Sequence, residues 1–167
     1  MNPALLSELQ KAIDYVRKTF ADRQIILDFS TDTIKHLDIL LDSEFKNGKL
    51  KKPDGGFAKF QGLIMIGISG YIAETVIKNT LNTALDIDDN DKNWYINFKV
   101  KAANGWNIQP GQQLLKRILH GHDASLYAYV QSAIKHFNDP VANGGNMNIP
   151  DTTATVNRDK KPWWKLW

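Results

Sequence analysis

The chain has 167 residues, 43% hydrophobic and 23% charged, which is enough apolar sequence for one globular domain with its own core. It has no cysteine, which excludes disulfides, thiolate metal sites and cysteine nucleophiles and favours the cytoplasm. The net charge of +3, from 21 basic and 18 acidic residues, is too small to predict a nucleic acid partner.

The N-terminal segment predicts an amphipathic helix. Asn2 and Pro3 are a typical N-cap and first-turn pair, and apolar residues then recur every three or four positions to about Thr19. No basic leader with an apolar run precedes this helix, so we expect no signal peptide. Residues 24–29 then form a short apolar run that predicts either a strand or an extended link.

A second helix is predicted up to the Asn47-Gly48 pair, which should end it. It carries a broad apolar face and has three candidate N-caps, which are Ser30, Thr31 and Asp32. The basic, glycine-containing residues 49–56 predict a surface loop.

Residues 57–79 predict a third helix that is apolar nearly all round in its middle, which places it at the centre of the domain. Its most apolar stretch, residues 63–73, is shorter than the roughly 20 residues that a membrane span needs. Each glycine within it costs about 1 kcal/mol of helix propensity relative to Ala, so we expect a neighbouring element to pack closely against Gly62, Gly67 and Gly70.

The next segment predicts a small antiparallel hairpin. Residues 86–91 are an acidic loop, and residues 94–101 then alternate with the period of two expected of a half-buried strand. The Asn104-Gly105 pair is a strong turn signal, and residues 106–108 supply a short return strand.

Two more helices complete the predicted domain. Pro110 begins the first, which breaks at His120 and Gly121, and the second is capped by Asp123 or Ser125 and ends near Phe137. The sequence therefore predicts a mainly helical α+β fold over residues 1–137, with about five helices around the central apolar helix and one small hairpin.

Residues 138–167 predict a flexible tail, because they are rich in Pro, Gly, Asn and Thr and poor in apolar side chains. The tail closes with a lysine-rich peptide that contains three of the five tryptophans, Trp163, Trp164 and Trp167. Three hypotheses remain for this peptide: it docks in a partner's groove, it inserts at a membrane surface, or it folds back on its own domain.

No metal or cofactor site is predicted. The acidic loop matches the first EF-hand ligand positions but has Asp91 and Asn97 where that loop needs Gly and Glu, so solvation explains it better. The histidines have no metal-ligand spacing, and His120 fits a helix C-terminus. Ser69 lacks the nucleophile-elbow pattern and is interpreted as a helix-packing residue.

Glu74 follows the apolar centre of the third helix and should be partly buried, so it needs a partner. Lys116 and Arg117, on the helix after the hairpin, are the candidates. We favour a structural ion pair over an active site, because such pairs are common without chemistry.

Residues 34–137 resemble a family of small bacterial proteins of unknown function, which carry a G-x-Y-x-G-E helix, a tryptophan strand and a K-R-[IV]-x-N-G helix end. The matching features are the run from Gly70 to Glu74, then Trp94, then Lys116-Arg117 and Gly121, with Ala73 in place of the second Gly and His120 in place of Asn. The resemblance implies an immunity or adaptor role by analogy with domains found beside toxin and secretion loci.

We therefore predict a non-enzymatic module that binds another protein, with an immunity or adaptor role. Its candidate binding residues are Glu74, Trp94, Lys116, Arg117, Trp163, Trp164 and Trp167. Two alternatives stay open: a small hydrolase or ligand-binding enzyme that uses Glu74 with His36 or His120, and a peripheral membrane protein held by the tail.

Overall fold

A computed structural model describes residues 2–139, which contain seven α-helices and five short strands. The helices are α1 (Pro3–Ala21), α2 (Ile34–Glu44), α3 (Gly56–Lys59), α4 (Gln61–Lys78), α5 (Trp94–Asn97), α6 (Pro110–His120) and α7 (Leu126–Phe137). The strands are β1 (Phe45–Lys46), β2 (Lys49–Leu50), β3 (Thr83–Asp86), β4 (Lys99–Ala102) and β5 (Asn107–Ile108). The predicted mainly helical α+β class is confirmed.

α1 packs along α4 through two of the predicted close-contact glycines. A Cβ atom placed on Gly67 would lie 2.3 Å from the Ala12 carbonyl oxygen, and one placed on Gly70 would lie 2.7 Å from the side chains of Leu9 and Ile13. The missing Cβ atoms therefore let the two helices approach, and this offsets the propensity cost of glycine. Gly62 differs, because a Cβ there would meet no atom within 4 Å.

α4 is the centre of the core, as predicted, and twelve of its residues are buried. The expected single helix over 57–79 is wrong at its start, because the chain breaks at Phe60, whose backbone leaves the helical region (φ −118°, ψ 20°). The break separates the short α3 from α4 and leaves Phe60 half-exposed at the surface.

The Asn47-Gly48 pair does more than end a helix. Both residues have positive φ angles, 50° and 76°. They form the two-residue turn of a hairpin in which β1 pairs with β2. α2 ends at Glu44, before this hairpin, and starts after a 3-10 turn (Thr31–Thr33). Residues 24–29, predicted as a strand or a link, form no strand and connect α1 to this turn.

The second sheet is antiparallel with the order β3-β4-β5. The predicted turn at Asn104-Gly105 and the return strand are confirmed, whereas β3 was missed and part of the predicted first strand is wrong. Residues 94–97 form the helical turn α5 instead, which Asp91 helps to start by accepting hydrogen bonds from the Asn93 and Trp94 backbone N–H groups. Tight packing of Ile96 on Gly111 holds this turn against α6.

α6 breaks at His120 as predicted, a 3-10 turn (Gly121–Ala124) follows, and α7 then ends at Phe137. Ser125 caps α7, because its hydroxyl accepts from the Ala128 N–H at 3.3 Å. Asn104 donates to the His136 carbonyl and ties the second sheet to the end of α7. Across residues 2–139, no helix is long and apolar enough to cross a membrane.

Candidate functional site

Arg117 is the most buried charged residue described, with 2% of its surface exposed. Its Nε donates to Asp38 Oδ1 and its Nη2 to Asp42 Oδ1, both at 2.6 Å. Burial alone would lower the pKa of Arg117, but the hydrogen bonds to the two carboxylates outweigh it and raise the pKa above its ordinary value. The guanidinium therefore stays charged and joins α6 to α2.

Asp38 connects the same network to α7. Its carboxylate also accepts from the Ser125 hydroxyl at 2.9 Å, from the Leu126 N–H at 3.1 Å and from the Tyr127 N–H at 3.0 Å. The first N–H groups of a helix have no hydrogen-bond partner within the helix, and a carboxylate there accepts from them. Its negative charge is also stabilised by the positive end of the helix dipole. The predicted binding residue Arg117 thus has a structural position that fixes three helices together.

Glu74 is not the partner of Arg117, so that prediction is wrong. Its Oε2 atom lies 3.9 Å from the Lys78 Nζ atom on the same helix, and its side chain is 35% exposed. The acids that hold Arg117 come from α2, 75 and 79 residues away along the chain.

Replacing Glu74 by Gln should change the free energy of unfolding by less than about 0.5 kcal/mol, because a partly exposed pair within one helix contributes little. Denaturant titration measures this quantity directly. A loss above about 2 kcal/mol would contradict the surface position and restore the buried-pair interpretation.

The remaining predicted binding residues are separated. Trp94 begins α5, is partly buried against the core and packs edge-on against Tyr95, with ring centroids 6.1 Å apart. Lys116 lies beside Arg117 on α6 and is half-buried. Trp163, Trp164 and Trp167 lie outside the described residues, as does nearly all of the predicted tail.

The residues of the alternative enzyme hypothesis line neither of the two clefts described below, since Glu74, His36 and His120 are absent from both linings. His120 is exposed at the end of α6, where its predicted place at a helix C-terminus is confirmed. Ser69 is buried and donates to the Met65 carbonyl, as a helix-packing residue should. Within residues 2–139, no group of three or more His, Asp or Glu side chains could hold a metal ion.

The larger cleft, which we name the aromatic groove, has a volume of about 360 Å³ and lies between α1, the end of α2 and α3. Four aromatic side chains line it, namely Tyr15, Phe20, Phe57 and Phe60. Val16, Leu40 and Ile64 complete its apolar floor. This groove could not be predicted from the sequence, because it depends on the break in the helix at Phe60.

The rim of the aromatic groove is mainly basic. Arg23 and Lys52 are exposed there, against a single carboxylate from Glu44. Phe60 is 50% exposed and lies 5.8 Å from Tyr15, centroid to centroid. The surface thus combines a large apolar floor with exposed cations at its edge.

The smaller cleft, which we name the α4–α6 cleft, has a volume of about 120 Å³ and almost wholly apolar walls. α4 supplies Gly62, Met65, Ile66 and Ser69, and the opposite wall comes from Tyr95, Ile96, Gly111 and Leu115. The open space beside Gly62 is part of this cleft, which explains why a Cβ there would meet nothing.

One acidic residue, Asp91, lies close to a wall of the α4–α6 cleft. Burial and the charge of Asp91 both raise the pKa of Tyr95 in its wall. Asp91 accepts from the Asn97 side chain at 2.8 Å, and Asn97 in turn accepts from Gln112, which neighbours Gly111. Asp88 and Asp89 are exposed in the same loop.

Comparisons of this chain with protein-family models, with curated proteins and with solved structures found no match. The resemblance to the small bacterial family stays a prediction. We therefore infer function from the clefts and their charges.

Proposed function

We propose that this chain is a non-enzymatic protein-binding module whose aromatic groove receives a segment of a partner protein. The observation that carries the proposal is the groove itself, with four aromatic side chains around an apolar floor and Phe60 half-exposed at its edge. Aromatic side chains supply most of the energy at the centre of many protein interfaces, so such a groove suits one or two large apolar residues of a partner.

The charges at the rim of the aromatic groove indicate which kind of partner segment would bind there. Arg23 and Lys52 flank the groove, so a segment with acidic residues beside its apolar ones would be attracted and oriented. Charge pairs at a wet rim add specificity and association rate more than affinity. The expected ligand is an acidic peptide segment with an aromatic or long aliphatic side chain at its centre.

An immunity or adaptor role in the cytoplasm belongs to the same proposal. Both roles require a stable domain that presents a shaped surface to another protein, and the absence of cysteine from the sequence is in keeping with a reducing compartment. No described feature favours the hydrolase hypothesis, since Glu74, His36 and His120 line neither cleft.

Selection of random displayed peptides on the full chain tests the proposal. We expect enriched peptides with a large apolar residue flanked by Asp or Glu, and roughly fivefold weaker binding to Lys52→Glu because a rim attraction becomes a repulsion. Lys135→Glu, an exposed residue on α7 outside the groove, is the matched control for the change in net charge. Failure to enrich peptides, or equal binding to both variants, would contradict the proposal.

A further inference from the structure

We propose that the outer edge of strand β3 pairs with the same edge of a second copy of this chain, in an antiparallel register that sets Ala84 opposite Ala84. The two three-stranded sheets would then join into one sheet of six strands. This inference goes beyond the binding function proposed above, because it concerns a different surface and a different partner.

The hydrogen bonds of the second sheet show which backbone groups of β3 face away from β4. In an antiparallel pair, opposite residues alternate between pairs that exchange hydrogen bonds and pairs that do not. The Ala103 N–H donates to the Asn82 carbonyl, whereas the N–H of Ala102, the residue opposite Thr83, donates to the other side of β4. Thr83 and, by the same alternation, Leu85 therefore direct their backbone N–H and C=O groups outward.

These outward groups, which we name the β3 edge, are open to another strand. Among residues 2–139, no hydrogen bond reaches the backbone N–H or C=O of Thr83 or Leu85. Proteins often guard an exposed edge with a charged side chain, but the Asp86 carboxylate already pairs with the Lys101 Nζ atom at 2.7 Å within the sheet. Ala84, in the middle of the edge, is exposed and uncharged.

The β3 edge is complementary to itself. A two-fold axis at Ala84 sets Thr83 opposite Leu85 of the second copy, so the outward groups exchange about four backbone hydrogen bonds. Asp86 then lies opposite Asn82 of the second copy, whose amide can donate to a carboxylate. The two Ala84 side chains meet with their Cβ atoms about 5 Å apart, which is close without a clash.

Apolar contact would add to this backbone pairing. Leu81, two residues before β3, is 78% exposed, the highest value among the large apolar side chains described. It lies near the end of the strand that a second copy would supply. Two four-residue strands still bury much less than the roughly 1,200 Å² of a standard interface, so we expect a weak dimer that depends on protein concentration.

Sedimentation equilibrium of the full chain, from roughly 10 µM to roughly 1 mM, tests the inference. We expect the average mass to rise from that of one chain toward that of two. Ala84→Glu should weaken the dimer at least about fivefold, because two carboxylates would face each other across the two-fold axis. The monomer should stay folded, since the new carboxylate lies opposite Lys101 on β4.

Ala84→Gln is the matched control, because it has the same size as Ala84→Glu without the charge. Its dimer should have a Kd within about twofold of the unchanged protein. Added salt should restore part of the dimer in Ala84→Glu and have little effect on Ala84→Gln, since it screens only the repulsion between the carboxylates.

Amide hydrogen exchange, followed by NMR, locates the interface. The Thr83 and Leu85 amides should exchange fast in dilute protein and become protected as the dimer forms. The Ala84 and Asp86 amides face β4 and should be protected at every concentration. This pattern would assign the dimer to the β3 edge rather than to the aromatic groove.

Four results would overturn the inference. The mass could stay that of one chain up to about 1 mM, the two Ala84 variants could dimerise equally, or the Thr83 and Leu85 amides could exchange equally fast in monomer and dimer. The fourth is protection of these amides by peptides selected on the full chain while the mass stays that of one chain, which would assign the β3 edge to a strand of another protein.

Discussion

Replacing Asp38 by Asn should lower the free energy of unfolding by roughly 3 to 5 kcal/mol, the cost of breaking a buried ion pair from one side. The carboxylate accepts four hydrogen bonds, from Arg117, Ser125, Leu126 and Tyr127. An amide has only one oxygen to accept them, and its NH₂ group would face donors. The substitution therefore weakens both the ion pair with the buried Arg117 guanidinium and the hydrogen bonds that cap α7.

Asp42→Asn is the matched control for Asp38→Asn. Asp42 also binds Arg117 but is 36% exposed, and the donors at the start of α7, Ser125, Leu126 and Tyr127, bind Asp38 instead. Its loss should cost roughly 1 to 2 kcal/mol, the worth of one hydrogen bond to a charged group with solvent nearby. Urea titration of both variants provides the comparison, and equal losses would contradict the capping role of Asp38.

Replacing Gly67 by Ala should destabilise the domain by about 2 kcal/mol or more. The new Cβ would lie 2.3 Å from the Ala12 carbonyl oxygen and 2.5 Å from Val16 Cγ2, so α1 and α4 must separate. Overpacking of this kind costs about 1 to 3 kcal/mol and more where backbone must move, which exceeds the gain of about 1 kcal/mol from the better helix former.

Gly62→Ala makes the same chemical change five residues earlier on α4 and should have the opposite effect. Its Cβ would meet no atom, so only the propensity gain remains, which is at most about 1 kcal/mol because Gly62 lies in the first turn of α4. For a domain of this size, 1 kcal/mol corresponds to roughly 3 °C in Tm, so the two variants should melt roughly 6 to 9 °C apart. Melting temperatures that move in the same direction would show that helix propensity, not the α1–α4 contact, governs both sites.

The sequence predicts that some neighbouring element packs closely on α4, because the signal is local, but it does not identify that element as α1. Glycines within a strongly apolar helix lower its stability, and this predicts a contact that needs them. The structure confirms this for Gly67 and Gly70. It also shows that the argument does not extend to Gly62, which borders a cleft, because sequence alone does not say which face of α4 is covered.

The partners of Arg117 could not be predicted in this way. Asp38 and Asp42 stand one turn apart on α2, next to apolar positions. This spacing is the only feature of the sequence that indicates a cation shared by both carboxylates. Pairing them with Arg117 requires knowing how α2 and α6 face each other, which is set by packing of the whole core. Glu74 follows the most apolar run of the sequence, which predicts burial, but its side chain is 35% exposed.

Residues 94–97 show where a periodic pattern misled the interpretation. Alternating apolar residues predicted a strand, but Asp91 starts a helical turn there and Ile96 packs on Gly111. Tertiary contacts thus outweigh a short alternating pattern. The aromatic groove was missed for a related reason, since no sequence signal marks the break at Phe60 that opens it.

The most direct test of the aromatic groove as a binding site is the Kd of a selected peptide for Phe60→Ala compared with Leu81→Ala. Both residues are exposed, at 50% and 78%, but only Phe60 lines the groove. Loss of this aromatic contact should weaken binding by about 30-fold for Phe60→Ala, whereas Leu81→Ala should leave the Kd unchanged. Equal Kd values for the two folded variants would show that the groove does not bind the peptide.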